Sequence, residues 1–223
     1  MVRTALKNRI LPDYTKGEEI FNMVTHVVGG ALGIIVLVTC VLKSAILGDV
    51  WGVVTSAIYG ASMVILYAVS SVYHGLTHQT AKKVMQVIDH CTIYLLIAGT
   101  YTPILLCSMR TVSPLWAWGL FIFVWGLAII AATLTAIDLK KYSAFSMVCY
   151  ILMGWCIVAG SKVALAAIDK RGLAFLLFGG IAYTVGAVLY GAGKKVRYMH
   201  SVFHIFVVLG SFLQYLSIFL YVI

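Results

Sequence analysis

The chain has 223 residues, 62% of them hydrophobic and 10% charged, with a formal net charge of +9. A soluble domain carries roughly 25% charge, so this composition, with a mean hydropathy of +1.03, excludes a soluble globular protein and calls for a polytopic membrane protein. The positive balance then belongs to loops that set orientation, and it gives no reason to expect a nucleic-acid partner.

A membrane helix takes about 20 mostly apolar residues. Runs between charged breaks give seven. Residues 1–20 form a polar N-terminal segment, expected to be cytoplasmic, and 21–223 form a single transmembrane domain. The N-terminal segment has no apolar run ending in a small-residue cleavage site, so no removable signal peptide is expected. Glu18 and Glu19 stand just before the first span, 21–43. They read as helix-capping charges at its positive end, or as a lid or partners for Lys82 or Lys83. His26 lies about a turn inside this span, and Gly29 and Gly33 make a small-residue packing face.

The second span, 51–74, ends with Ser70 and His74 four apart on one helical face. His78 follows in the loop and reads as a solvated residue. The third span, 84–108, carries Asp89 and His90 about a turn inside its apolar stretch. A lone carboxylate there costs several kcal/mol unless it is paired or faces a cation. The fourth and fifth spans, 115–136 and 142–161, carry no comparable cluster. The sixth, 172–192, is thinned by Gly179, Gly180, Gly186 and Gly191. The seventh, 198–222, opens with His200 and His204, one turn apart on one face, and carries no charge afterwards. Cys40, Cys91, Cys107, Cys149 and Cys156 fall in or beside apolar segments without a CxxC pair, so they read as buried thiols. No internal repeat is visible.

Lys and Arg count eleven on the side of the N-terminus and five (Lys43, Arg110, Lys162, Lys170 and Arg171) on the other. The excess includes Arg3, Lys7, Lys140, Lys141, Lys194, Lys195 and Arg197. This places the N-terminus inside and the C-terminus outside, and it brings all six histidines to the cytoplasmic side. The partners within reach of Asp89 at that depth are His74, His200, His204 and a metal between them. Neutral imidazole is a common zinc ligand, and three protein ligands plus water is the catalytic arrangement. Asp89 then acts on the water, Ser70 orients it, and zinc brings its pKa to about 7. His26 and His90 read as hydrogen-bonded helpers rather than ligands.

Taken together, Glu18-Glu19-x-x-Asn22-x-x-Thr25-His26-x-x-Gly29, Ser70-x-x-Tyr73-His74, Asp89-His90 and His200-Ser201-x-x-His204 resemble the bacterial haemolysin III family. That family is the prokaryotic branch of the progestin and adipoQ receptor superfamily, which includes the adiponectin receptors. The resemblance runs from the first span to the seventh. It implies a seven-helix bundle with its N-terminus inside and a zinc ion near the cytoplasmic face. It assigns His74, His200 and His204 as ligands, with Asp89 reaching the metal through water and Ser70 beside it. The chain lacks the receptors' long N-terminal domain, so their signalling partners do not carry over.

Three functions follow as expectations. The first is a zinc-dependent, ceramidase-like hydrolase of a membrane lipid amide or ester. Its substrate comes from the inner leaflet, and its work is membrane-lipid homeostasis. The second is a non-enzymatic sensor of membrane state with a structural zinc. The third is a haemolytic pore, which needs polar residues continuing across the bilayer, and the outer halves of these spans are nearly free of charge. The sequence sets neither the lipid nor an oligomeric state.

Overall fold

In the computed structural model, residues 4–193 and 196–223 are described. Arg3, Lys194 and Lys195 of the charge count lie outside the described residues, as does the Lys7 side chain. Seven helices are long and apolar enough to cross a membrane: α1 Lys16–Ile46, α2 Val50–Gly75, α3 Gln79–Val112, α4 Pro114–Ile137, α5 Ser143–Ala167, α6 Lys170–Ala192 and α7 Met199–Tyr221. All the described regular structure is helical. Only helices and closed barrels satisfy every backbone group inside lipid.

Each helix turns its small and polar side inward. On α1 the buried residues are Glu18, Asn22, His26, Gly29, Gly33, Val36, Cys40 and Ser44, a stripe at spacings of three and four. Ile34, Ile35, Val38 and Leu42 lie on the other face and are about half exposed. This reverses a soluble helix, because lipid is as apolar as leucine and packing favours small or hydrogen-bonding residues. A Cβ on Gly29 would stand 2.5 Å from the Tyr67 ring, and one on Gly60 would stand 2.5 Å from the Leu37 Cα. These two positions let α1 and α2 touch. On α6, Gly179 and Gly186 face α7, whereas Gly191 faces open space.

Buried hydroxyls and an amide join α7 to its neighbours. Ser211 Oγ lies 2.6 Å from Tyr67 Oη and 2.7 Å from Tyr183 Oη. Gln214 Nε2 donates to the Leu176 carbonyl, and Ser217 Oγ to that of Gly172. These uncharged polar residues continue past the histidines, but the bonds made by Ser211, Gln214 and Ser217 close on adjacent helices. All five cysteines are free thiols.

α3 is the central helix, with 72% of its apolar window buried against 22% for α6. Its polar residues therefore face protein. Pro103 sits inside it and is followed by a π-helical stretch, Ile104–Met109. Proline removes one ladder hydrogen bond, and the wider turn absorbs the mismatch.

α1 starts earlier than hydropathy suggests, so Glu18 and Glu19 belong to its first turn. Thr15 caps the helix. Its hydroxyl accepts from the Glu18 N–H, while Glu18 Oε2 accepts from the Thr15 N–H, a reciprocal capping box. Before it, residues 4–15 run across the N-terminal end of the bundle. The Thr4 N–H donates to Asp138 Oδ2 at 2.9 Å, and Arg197 Nη1 donates to the Asp13 carbonyl at 3.2 Å.

Candidate metal centre

The up-and-down order brings the start of α1, the end of α2, the start of α3 and the start of α7 to one end. There, one ring nitrogen from each of His74, His200 and His204 falls within 4.8 Å of the others. His74 and His204 are buried, and His200 is partly buried. The i, i+4 spacing on α7 does what it promised: the Nε2 atoms of His200 and His204 lie 3.0 Å apart.

The partners of the outer nitrogens decide which atoms point inward. His74 Nδ1 lies 2.7 Å from Glu19 Oε2. A carboxylate only accepts, so Nδ1 carries the proton and donates it. The Nε2 lone pair of His74 is then left buried without a partner. His204 Nδ1 lies 3.3 Å from the Asn22 carbonyl, which likewise takes its proton and leaves Nε2 a lone pair. His200 Nδ1 is buried and unpartnered. Two lone pairs aimed into one buried spot repel each other unless a cation or proton sits between them. The donor set therefore fits a divalent ion that favours imidazole. Glu19 also takes Lys82 Nζ at 2.8 Å, so one carboxylate links α1, α2 and α3. Of the two sequence readings of this residue, the structure supports the partner of Lys82 for Glu19 and the cap for Glu18.

Asp89 stands beside the cluster rather than within it. Its side chain is 14% exposed and lies 3.9 Å from His90 Nδ1. The Ser70 hydroxyl and the His74 ring lie near enough to act on its charge. The five site residues expected from the sequence, Ser70, His74, Asp89, His200 and His204, thus gather at one end of three helices. His90 Nδ1 lies 2.8 Å from the Gln86 carbonyl, a bond within α3 itself. His78 is the N-cap of α3 and accepts from the Ala81 N–H.

His26 departs from expectation. Both of its ring nitrogens are buried without a hydrogen bond. Its ring stacks on His204 with centroids 3.7 Å apart and takes the edge of Tyr67 at 5.1 Å. It packs the His204 ring in place instead of bonding to it.

Two further residues belong to the site. Asn22 accepts from the Ser201 hydroxyl at 2.6 Å through Oδ1, so one residue grips α7 twice. Tyr14 stacks on His200 with centroids 5.0 Å apart, and its ring is tilted against His74 at 5.9 Å. It closes the cluster from the arm side, and burial raises its phenol pKa, so it stays a proton donor. Its place in an aperiodic arm gave no signal, whereas Asn22 stood in the motif without a role. Tyr198, just before α7, adopts φ +61°, an uncommon conformation for a residue other than glycine. Its N–H donates to Glu18 Oε1 at 2.7 Å, which fixes where α7 begins and so where His200 points.

Comparison with known proteins agrees with the motifs. The Haemolysin-III related family model matches residues 14–215. Hemolysin-3 of Bacillus cereus is 36% identical over 206 residues, covering 92% of each chain. The Hemolysin-3 homolog of Bacillus subtilis (strain 168) is 35% identical over 208 residues, 93% of this chain and 96% of its own. The monocyte to macrophage differentiation factor of Homo sapiens is 27% identical over 196 residues, 83% of this chain and 79% of its own. With seven apolar helices, this extent of likeness places the chain in the haemolysin-III related family of multi-pass membrane proteins.

Proposed function

We propose that this protein is a zinc-dependent hydrolase of a membrane-lipid amide or ester, acting from the inner leaflet of the cell membrane. The observation that carries this reading is the cluster of three imidazoles, two of them with inward lone pairs, and a carboxylate alongside that is not part of the set.

His74, His200 and His204 hold the ion. When bound, it supplies Lewis acidity that polarises an acyl carbonyl and acidifies water. Glu19 and the Asn22 carbonyl keep two of the imidazoles in the ligating tautomer. Asp89 accepts the proton as water oxygen bonds to the acyl carbon. It passes that proton to the nitrogen or oxygen that leaves as the C–N or C–O bond breaks. Ser70 orients the Asp89 carboxylate. Burial on α3 keeps bulk water from competing for it.

A closed structural site needs a fourth protein ligand. Among the described residues the cluster numbers three His, Cys, Asp or Glu side chains, which favours an open position over a purely structural ion.

The test pairs composition with chemistry. Purified protein should carry about one zinc per chain, and His200→Ala should carry little. Asp89→Asn should keep the metal but lose most lipid turnover, followed as free fatty acid by mass spectrometry, since general acid–base catalysis contributes about 10²–10⁴-fold. Wild-type turnover in Asp89→Asn, or in zinc-free protein, would defeat the proposal.

A further inference from the structure

Tyr14 ends the N-terminal arm, one residue before the Thr15 cap of α1. Its ring lies against two of the three clustered imidazoles, stacked on His200 and tilted against His74. Beside it a cavity of about 930 Å³ opens between the arm, the first turns of α1 and the α2–α3 connection, with Tyr14, Glu19 and His74 among its lining residues. That is at the upper end of the range for small-molecule sites. A molecule that comes through this cavity to the cluster passes the tyrosine.

The ordinary reading of the ring is packing, since an aromatic face shields His200 and anchors the arm. Packing accounts for the face and leaves the hydroxyl over. A buried phenol usually finds a partner, yet among the described residues the Tyr14 hydroxyl makes no hydrogen bond. The Glu19, Asp89 and Glu18 carboxylates lie near enough to act on its charge, but the two glutamates are engaged elsewhere. Glu18 accepts from Thr15, Arg197 and Tyr198, and Glu19 holds His74 and Lys82. Burial first, and then these carboxylates, keep the proton on the phenol. The result is a neutral donor between a cavity and a cluster of imidazoles, with nothing to donate to.

We infer that Tyr14 is a further binding residue of this centre, whose hydroxyl donates a hydrogen bond to a carbonyl-type oxygen of the molecule that enters through the cavity. The inference rests on the reading of the cluster as an open metal site. Within that reading, the acyl oxygen of the substrate meets a preorganised donor from the protein itself as charge builds on it. The phenol keeps its proton, and Asp89 carries the transfer. The ligand class follows: an oxygen acceptor on a planar acyl group, rather than a soft or purely cationic ligand.

Cobalt-substituted protein in detergent reports ligands at the open position through its visible spectrum. Two probes separate hydrogen bonding from packing. Acetohydroxamate binds metal through oxygens that accept strongly, and ethanethiol through sulfur, a weak acceptor. Tyr14→Phe keeps the stacked ring and should retain about one cobalt per chain. Its affinity for acetohydroxamate should fall about tenfold or more, the size of one hydrogen bond to a charged acceptor. Its affinity for ethanethiol should change by less than about twofold. Unchanged hydroxamate affinity, or equal losses for both probes, would overturn the inference and leave Tyr14 a packing residue, with the metal site intact. Wild-type protein that takes up no cobalt would overturn both readings. A selective loss of hydroxamate affinity in Tyr14→Phe, beside a wild type with no lipid turnover, would leave this donor standing while the hydrolase reading fell.

Discussion

The His74 ring takes its tautomer from one contact, the Glu19 carboxylate 2.7 Å from Nδ1. Glu19→Ala frees that ring to hold its proton on either nitrogen and strips Lys82 of its counter-charge. Outer-shell partners of this kind carry about 10–100-fold in metal affinity. A loss of that size is expected in competition with a chromogenic chelator, and a smaller one for Glu19→Gln, whose amide oxygen still accepts. Unchanged affinity in Glu19→Ala would mean that packing by His26 and Tyr14 alone orients the rings. The histidine cluster itself was readable, because spacings of four along one helix put Ser70 with His74 and His200 with His204, and an intramembrane carboxylate demanded company. Glu19 stayed ambiguous. It meets a residue 55 positions away, and that meeting depends on how α1 registers against α2, which no local spacing records. His26 was misjudged for a related reason: a polar ring can serve by its face, and nothing in the sequence separates stacking from hydrogen bonding.

At the scale of elements, α1 and α2 are held close where Gly29 meets Tyr67. In Gly29→Ala the new methyl would press into the ring of a fully buried tyrosine. Overpacking costs typically 1–3 kcal/mol, and here it also shifts the ring that supports His26. Lower resistance to unfolding in a detergent–SDS series is expected, with reduced zinc content. Gly191→Ala, facing open space, should match or slightly exceed the wild type because alanine favours the helix. The N-terminal arm is a second element with its own test. Tyr14→Ala uncovers His200, so a chelator should remove the metal several times faster, while Tyr14→Phe keeps the stacked ring and the slow rate. The arm is tied down where the Thr4 and Lys141 N–H groups donate to the Asp138 carboxylate and hold its pKa at about 2, below the usual 3.8. A depressed carboxylate stabilises only while ionised. Its contribution is complete above pH 3.8 and is lost as pH falls through 2. Pepsin cleavage of the arm should therefore quicken across that window in the wild type, and Asp138→Asn should be fast throughout. Hydropathy revealed the seven spans because lipid demands long apolar runs. It was silent on the arm, which has no periodicity and earns its place only through contacts with α1, α3, α7 and the loop after α4.

For the whole molecule, the side on which the cluster lies decides what it can meet. All four helix ends that build it belong to the end carrying the N-terminus, so one fact about orientation places the site, the cavity and the arm together. Lys and Arg number eleven at that end against five at the other, and this bias retains short loops on the cytoplasmic side. The expected arrangement is N-terminus inside, with the cluster facing the inner leaflet. Single-cysteine variants in a chain freed of its five native cysteines test it. Leu47 is exposed between α1 and α2, and Thr80 is exposed in the first turn of α3 at the opposite end. A membrane-impermeant maleimide should label Leu47→Cys in intact cells, and Thr80→Cys only after permeabilisation. The reverse pattern would put the histidines outside, where inner-leaflet lipid cannot reach them, and would remove the proposed substrate along with the topology. Reducing the charge bias by replacing Lys140 and Lys141 with glutamine should shift the pattern only slightly, because nine of the eleven basic residues remain against five at the other end.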